Sequence, residues 1–237
     1  MQCVVRQLGQ IEYREAYELQ KELLEKRVNG QIADTLLLLE HLPTITVGKA
    51  GKLENVLVSQ TELASAGVSL ILTDRGGDVT YHGPGQIVGY PILDLRERNR
   101  DAHRYVHHLE EMLIRTLADY SIKSERDPSH AGVWVNDEEI AALGLRIHKW
   151  ITMHGFALNV NTDLNHFSLI NPCGFTNKTA TSMARLLGYQ LSTGEVTRRL
   201  LSYFADVFEV QLKFADNSVT ETYDERKTAT LVQTEAR

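Results

Sequence analysis

The chain is poor in cysteine, poor in positive charge and without long apolar runs. Only Cys3 and Cys173 occur in 237 residues, which excludes a disulfide framework and fits a reducing compartment. No stretch approaches the roughly 20 apolar residues that span a bilayer. The opening, MQCVVRQLGQIEYREAYELQ, lacks the apolar core of a secretion signal, so a cytoplasmic location is expected. Lys and Arg number 25 against 31 Asp and Glu, a net charge of −6. A general nucleic-acid binder is usually basic. Neither nucleic acid nor membrane is therefore expected as a partner.

What is present suits a globular protein: 43% of residues are hydrophobic and 24% charged. No linker or repeat divides the chain, so one domain is expected over residues 1–215. The tail, residues 216–237, is polar and Thr-rich, and is expected to be loosely ordered. Apolar runs at 2–8, 35–40, 69–73, 87–95, 131–135, 140–147, 155–160 and 208–214 read as strands. Helical spacing places helices over 14–27 and 102–120, and a third opens at the capping-box sequence Ser192–Glu195. The central strands follow one another without helices between them. An α+β fold results, with a mixed, largely antiparallel sheet flanked by helices.

Three features invite a functional reading. The stretch DRGGDVTYHGPGQ, residues 74–86, holds four of the 16 glycines. Three readings compete: a turn-rich loop, which the residues alone favour, a phosphate loop, or a wall against which an extended apolar ligand lies. Neither GxxxxGK[ST] nor GxGxxG is present, which weakens the second reading and leaves the other two open. Cys3 sits in an apolar strand, where a thiol is usually an inert small hydrophobe. Cys173 lies between Pro172 and Gly174, and is either a loop nucleophile or a structural thiol. His103, His107 and His108 share one helix, but Arg104 stands where HExxH needs glutamate and no third ligand is evident. No metal is assigned.

Taken in order, RGGDVTYHGPGQIVGYPILDL, AALGLRI, HGFALNV and NPCG strongly resemble the lipoyl(octanoyl) transferases over about residues 1–210. The resemblance implies a fold similar to the catalytic domains of biotin and lipoate protein ligases. It implies transfer of an octanoyl group from octanoyl-acyl carrier protein to a lysine on a lipoyl domain, through a cysteine thioester. The implied acceptors are the lipoyl domains of 2-oxoacid dehydrogenases and the glycine cleavage H protein, and no ATP, metal or other cofactor is needed. By the same likeness Cys173 is the nucleophile. The acyl pocket is lined by Arg75, Gly76, Gly77, Asp78, Val79, Thr80, Tyr81 and His82. Ala142, Leu143 and Gly144 from the second motif join it, with Gly155, Phe156 and Ala157 from the third.

One position departs from the pattern. The resemblance places a lysine immediately before IAALG, where it lowers the nucleophile's pKa; this chain has Glu139 there. A thiol near pKa 8.5 is only about 3% ionised at pH 7, and a neighbouring carboxylate suppresses ionisation further. Three readings follow: Lys178 or Lys149 supplies the cation, Glu139 acts as a base toward the incoming lysine, or the chain binds octanoyl groups without efficient transfer. An ATP-dependent lipoate-protein ligase is the alternative from the same fold. Docking of an acidic carrier protein would need a local basic patch, for which Arg146, His148, Lys149, Lys178 and Arg185 are candidates.

Overall fold

Strand β2 (Asp34–His41) carries the run TLLLL, and its residues divide between two cores. Leu36 and Leu38 point into one apolar cluster, Leu37 and Leu39 into another. Side chains alternate across a strand, so a sheet covered on both faces needs apolar residues at every position. That requirement sets the architecture. In the computed structural model, which describes residues 1–171 and 179–215, one large sheet runs between two helical layers.

The large sheet contains β1 (Gln2–Ile11), β2, β6 (Gln86–Ile92), β7 (Glu125–Arg126), β8 (Gly132–Val135), β9 (Glu138–His148), β10 (Ile151–Asn159) and β12 (Gln211–Phe214). Their order across the sheet is β12-β1-β2-β6-β10-β9-β8-β7, and the short β11 (Thr179–Ala180) pairs with β9. β1 is parallel to β12 and β2, whereas pairing from β2 through β8 is antiparallel. The sheet is mixed and largely antiparallel, as the sequence implies.

On one face, α3 (Ala102–Ala118) and α5 (Thr193–Val207) bury Leu109, Leu113 and Leu117 with Val196, Leu200 and Phe204. On the other, α1 (Tyr13–Val28) buries Ala16, Leu23 and Leu24 against Val88, Tyr90 and Ile92 of β6. Each fully buried leucine contributes roughly 1.5–3 kcal/mol. A second sheet of β4 (Ser69–Leu72), β3 (Thr44–Val47) and β5 (Val79–His82) packs on α2 (Gln60–Ser65) around Ile45, Leu63 and Tyr81. A short α4 (Met183–Leu187) leads into α5.

The structure departs from the sequence expectations in several places. Part of the glycine-rich stretch is strand β5, paired to β3 with Tyr81 opposite Ile45. β3 itself and α2 were not anticipated, because four and six residues are too few for a periodic signal. Phe208 ends α5 rather than starting a strand, so β12 begins at Gln211. Ser192 does cap α5, accepting from Glu195 N–H at 3.3 Å, but the Glu195 carboxylate reaches Arg199 at 3.3 Å. The full reciprocal box forms instead at Ser59–Glu62 of α2. The expected tail, residues 216–237, lies outside the described residues.

A buried ionic knot joins the layers. Asp34, 3% exposed, accepts from Arg27 Nε at 2.9 Å, from Asp94 N–H at 2.9 Å and from Arg98 at 3.1 Å. Removing one partner of such a group strands the others in a dry site. Asp34→Ala is expected to lower the unfolding free energy by about 3–5 kcal/mol, read from urea unfolding at pH 7.

Candidate active site

Residues 75–78 occupy the seam between the two sheets. The Gly76 N–H donates to Leu145 O of β9 at 2.8 Å, while Lys49 N–H and Gly48 N–H donate to Arg75 O and Asp78 O. A Cβ at Gly48 would lie 2.4 Å from Gly77 O, and one at Gly144 would lie 2.9 Å from Arg75 Cδ. Glycine is required here by the close approach of one backbone to another. Gly77 additionally needs its φ of +84°.

Arg75 is the clamp of this seam. It is 7% exposed and donates to Thr46 Oγ1 at 3.1 Å, Thr46 O at 2.8 Å and Gly76 O at 3.0 Å. Its guanidinium binds β3 and its own neighbour.

Beneath the seam lies a cavity of about 410 Å³. Arg75 to Thr80 and His82 form one wall, with Ala142, Leu143 and Gly144 of β9 and Gly155, Phe156 and Ala157 of β10 opposite. Register explains the convergence, since Gly144 pairs with Gly155 and Ala142 with Ala157. Tyr81 is the exception. Within β5 it turns to the small sheet's core, stacked on His166 at 4.7 Å between centroids, and it does not line the cavity. Burial raises its phenol to about 12.

Glu139 stands on the cavity wall near the β8 side, in register with Trp134. Thr179 and Ala180 of β11 pair with Glu138 and Glu139 and also line the cavity. Cys173, Gly174 and Lys178 lie outside the described residues. Among the suggested surface cations, Arg146 is paired with Asp74 and Arg185 with Glu138 at 3.0 Å, while His148 and Lys149 are exposed at the β9–β10 turn. Among the described residues no group of His, Cys, Asp and Glu is arranged to hold a metal ion.

The end of the cavity over β6 holds residues the motifs did not single out: Tyr13, Tyr90 and His154. His154 is 1% exposed and has a φ of +58°, a conformation costing a non-glycine residue about 1–3 kcal/mol. Gln20 Oε1 accepts its backbone N–H at 2.8 Å, and its Nε2–H donates to Asp74 Oδ1 at 2.8 Å. Burial lowers the His154 pKa in spite of Asp74. Burial pushes Asp74 upward, but the His154 bond and the Arg146 charge outweigh it and hold the carboxyl low. The state is a neutral imidazole donating to a carboxylate, with Arg146 as its counter-charge. His154 opens the HGFALNV motif, but nothing local in the sequence set it apart as a cavity residue.

The neighbouring tautomers follow from bonding. His41 Nδ1–H donates to Ile11 O at 3.0 Å, so Nε2 accepts from Tyr90 OH at 2.7 Å. Gln86 donates its amide to Tyr81 O and Asn159 Oδ1, so its Oε1 accepts from His82 Nδ1–H at 2.8 Å. His82 Nε2 is thereby a buried lone pair with no donor among the described residues. Burial, followed by the charges of His41 and Arg75, depresses His82 well below its ordinary value.

The fold is shared with ligases that attach lipoate and biotin. The chain aligns with a lipoate-protein ligase A bound with ATP at a TM-score of 0.69 and 12% identity, over 91% of this chain and 89% of that one. It aligns with biotin protein ligase from Aquifex aeolicus at 0.52 and 13%, over 88% and 70%. By sequence, the family model for the lipoyl protein ligase A/B catalytic domain matches residues 12–205. The octanoyltransferase of Solibacter usitatus is 51% identical over 89% of this chain and 94% of its own length. That of Caldicellulosiruptor saccharolyticus is 48% identical over 90% and 92%. The chain belongs to the lipoyl(octanoyl) transferase family, within the lipoyl protein ligase A/B catalytic-domain class, and is an acyltransferase.

The buried histidines carry a pH signature. Burial lowers His41 to about 4, against roughly 6.5 when unfolded. A histidine depressed in the folded state stabilises it fully above the unfolded pKa, and that contribution is lost as pH falls from 6.5 toward 4. His41 alone removes about 2 kcal/mol of stability between pH 7 and pH 5. Urea unfolding at the two pH values is expected to show at least this loss, and less of it in His41→Gln.

Proposed function

We propose that the chain transfers an octanoyl group from octanoyl-acyl carrier protein to a lysine of a lipoyl domain, through a thioester on Cys173. The observation that supports this reading most is the middle of the cavity, where Ala142, Gly144 and Ala157 leave a trough walled by small side chains and backbone. An octanoyl chain offers no polar handle along its length. Burying seven carbons at about 0.8 kcal/mol each contributes about 6 kcal/mol without a hydrogen bond. A cavity of about 410 Å³ falls in the range of roughly 300–1,000 Å³ usual for small-molecule sites.

In this reading the Cys173 sulfur attacks the donor thioester carbonyl, the carbon–sulfur bond to the carrier breaks, and the carrier leaves as a thiol. The lysine amine then attacks the enzyme thioester. Its carbon–nitrogen bond forms as the bond to Cys173 breaks, and the proton lost by the amine returns to sulfur. The clamped backbone of residues 75–78 holds the chain while both steps occur. Glu139 stands where a cation would favour the thiolate, so a cation from elsewhere in the chain assists ionisation, with Lys178, five residues after Cys173, as the candidate. Lys149 follows the far end of β9, ten residues or roughly 30 Å from Glu139, and does not serve. The acceptors are lipoyl domains of 2-oxoacid dehydrogenases and the glycine cleavage H protein.

Incubation with octanoyl-acyl carrier protein is expected to add one octanoyl group to the chain by intact mass, and Cys173→Ala to add none. A wild-type protein that binds octanoyl thioester without forming the adduct would instead be a binding homologue. Glu139→Lys is expected to lower the thiol pKa by at least about one unit, worth about 1.4 kcal/mol, with faster transfer at neutral pH. Alkylation rate against pH measures it. An unchanged pKa would mean that Glu139 does not act on the nucleophile.

A further inference from the structure

The cavity changes character along its length. It crosses the large sheet from Trp134 on β8 to Tyr90 on β6, with β9 and β10 between. Three strand spacings make that span about 14 Å. The middle is alanine, glycine and backbone. The end over β6 is a floor of Tyr13, His82, Tyr90 and His154, which are 3%, 5%, 4% and 1% exposed. β11, which follows the segment bearing Cys173, lies at the opposite end, beside Glu139.

Each floor group is held by its own bond. Tyr13 Oη lies 3.1 Å from Thr73 Oγ1, Tyr90 donates to His41, His82 Nδ1–H to Gln86, and His154 to Asp74. The Tyr13 ring is stacked on His82 at 5.9 Å. Folding this wall back to admit a longer chain would break these buried bonds. The lone pair of His82 Nε2, which meets no donor among the described residues, makes it a poor surface for a methyl group, because a buried acceptor gains nothing from an alkane.

We propose that this floor sets the acyl chain length. The rule extends the transferase reading above and rests on it for the identity of the occupant. A chain gains free energy with every methylene laid along the apolar trough. A longer chain must press its end into Tyr13, Tyr90 and the His82 lone pair, where the gain stops and carbons nearer the thioester are pushed back out of the trough. Tyr13, through its ring, and His82, through its polarity, are the specificity-determining residues.

The test is a length series. Acylation of the wild-type protein by hexanoyl-, octanoyl-, decanoyl- and dodecanoyl-acyl carrier protein is followed by intact mass, and the same series is run on Tyr13→Ala and His82→Leu. The wild-type rate is expected to fall by about tenfold from octanoyl to dodecanoyl, the equivalent of roughly two methylenes denied burial. Each substitution is expected to raise the dodecanoyl-to-octanoyl ratio by about tenfold, through added room at Tyr13 or an apolar floor at position 82. In parallel, binding of the free fatty acids from hexanoate to dodecanoate to Cys173→Ala is read by fluorescence of Trp134, which lines the cavity. Absence of an adduct with every chain defeats the transferase reading, and the binding series then decides the floor by itself. If the wild-type profile keeps rising through dodecanoyl or dodecanoate, the proposal is overturned. The same holds if the ratio is unchanged in whichever variants fold, as checked by thermal melting.

Discussion

Much in this protein depends on one buried guanidinium. Arg75 is tied to Thr46 of β3 by side-chain and backbone acceptors, while the next residue, Gly76, bonds to Leu145 of β9. Two consecutive residues thus join the small sheet to the large one. The cavity is the space left between them. A charge this buried must be fully hydrogen-bonded to be tolerated, and satisfying it pins the backbone of residues 75–78 in place. The glycines follow from the same constraint: Gly48, Gly76 and Gly144 stand where a Cβ would strike backbone or the Arg75 side chain.

The second theme is the management of polar groups on an otherwise apolar face. Tyr13, at the start of α1, and His41, His82, Tyr90 and His154 have little access to solvent. Burial keeps the three imidazoles neutral, so their hydrogen bonds assign each tautomer. Asp74 is the ionised member, sustained by Arg146 and His154. The arrangement binds α1, β2, β5 and β6 to one another by directional contacts, which apolar packing alone does not supply. It also gives the cavity two unlike ends.

Architecture was largely legible in the chain. The TLLLL run, the amphipathic spacing in α1 and α3, and the closely spaced central strands all point to a mixed sheet between helices. These signals survive because burial imposes a period that composition records. Boundaries were less legible where elements are short or where a cap decides them. β3, α2 and the end of α5 at Phe208 are of this kind. Of the site, the motif residues from Arg75 to Thr80, with His82, Ala142 to Gly144 and Gly155 to Ala157, converge on one cavity. Tyr81 does not, because β5 is a strand and alternate side chains face opposite ways.

What the sequence determined by itself is therefore the fold class, the family, and a set of segments rich in small residues with Glu139 at an unusual position. Local composition and order carry that information. Only the tertiary structure decided that Tyr13, Tyr90 and His154 share the cavity with those segments, that Arg75 is a brace, and that the His82 Nε2 lone pair meets no donor among the described residues. Those facts arise from contacts between residues far apart in the chain, such as His154 with Asp74 and Gly76 with Leu145. No local pattern encodes them, because strand register and sheet packing bring the partners together only once the chain has folded.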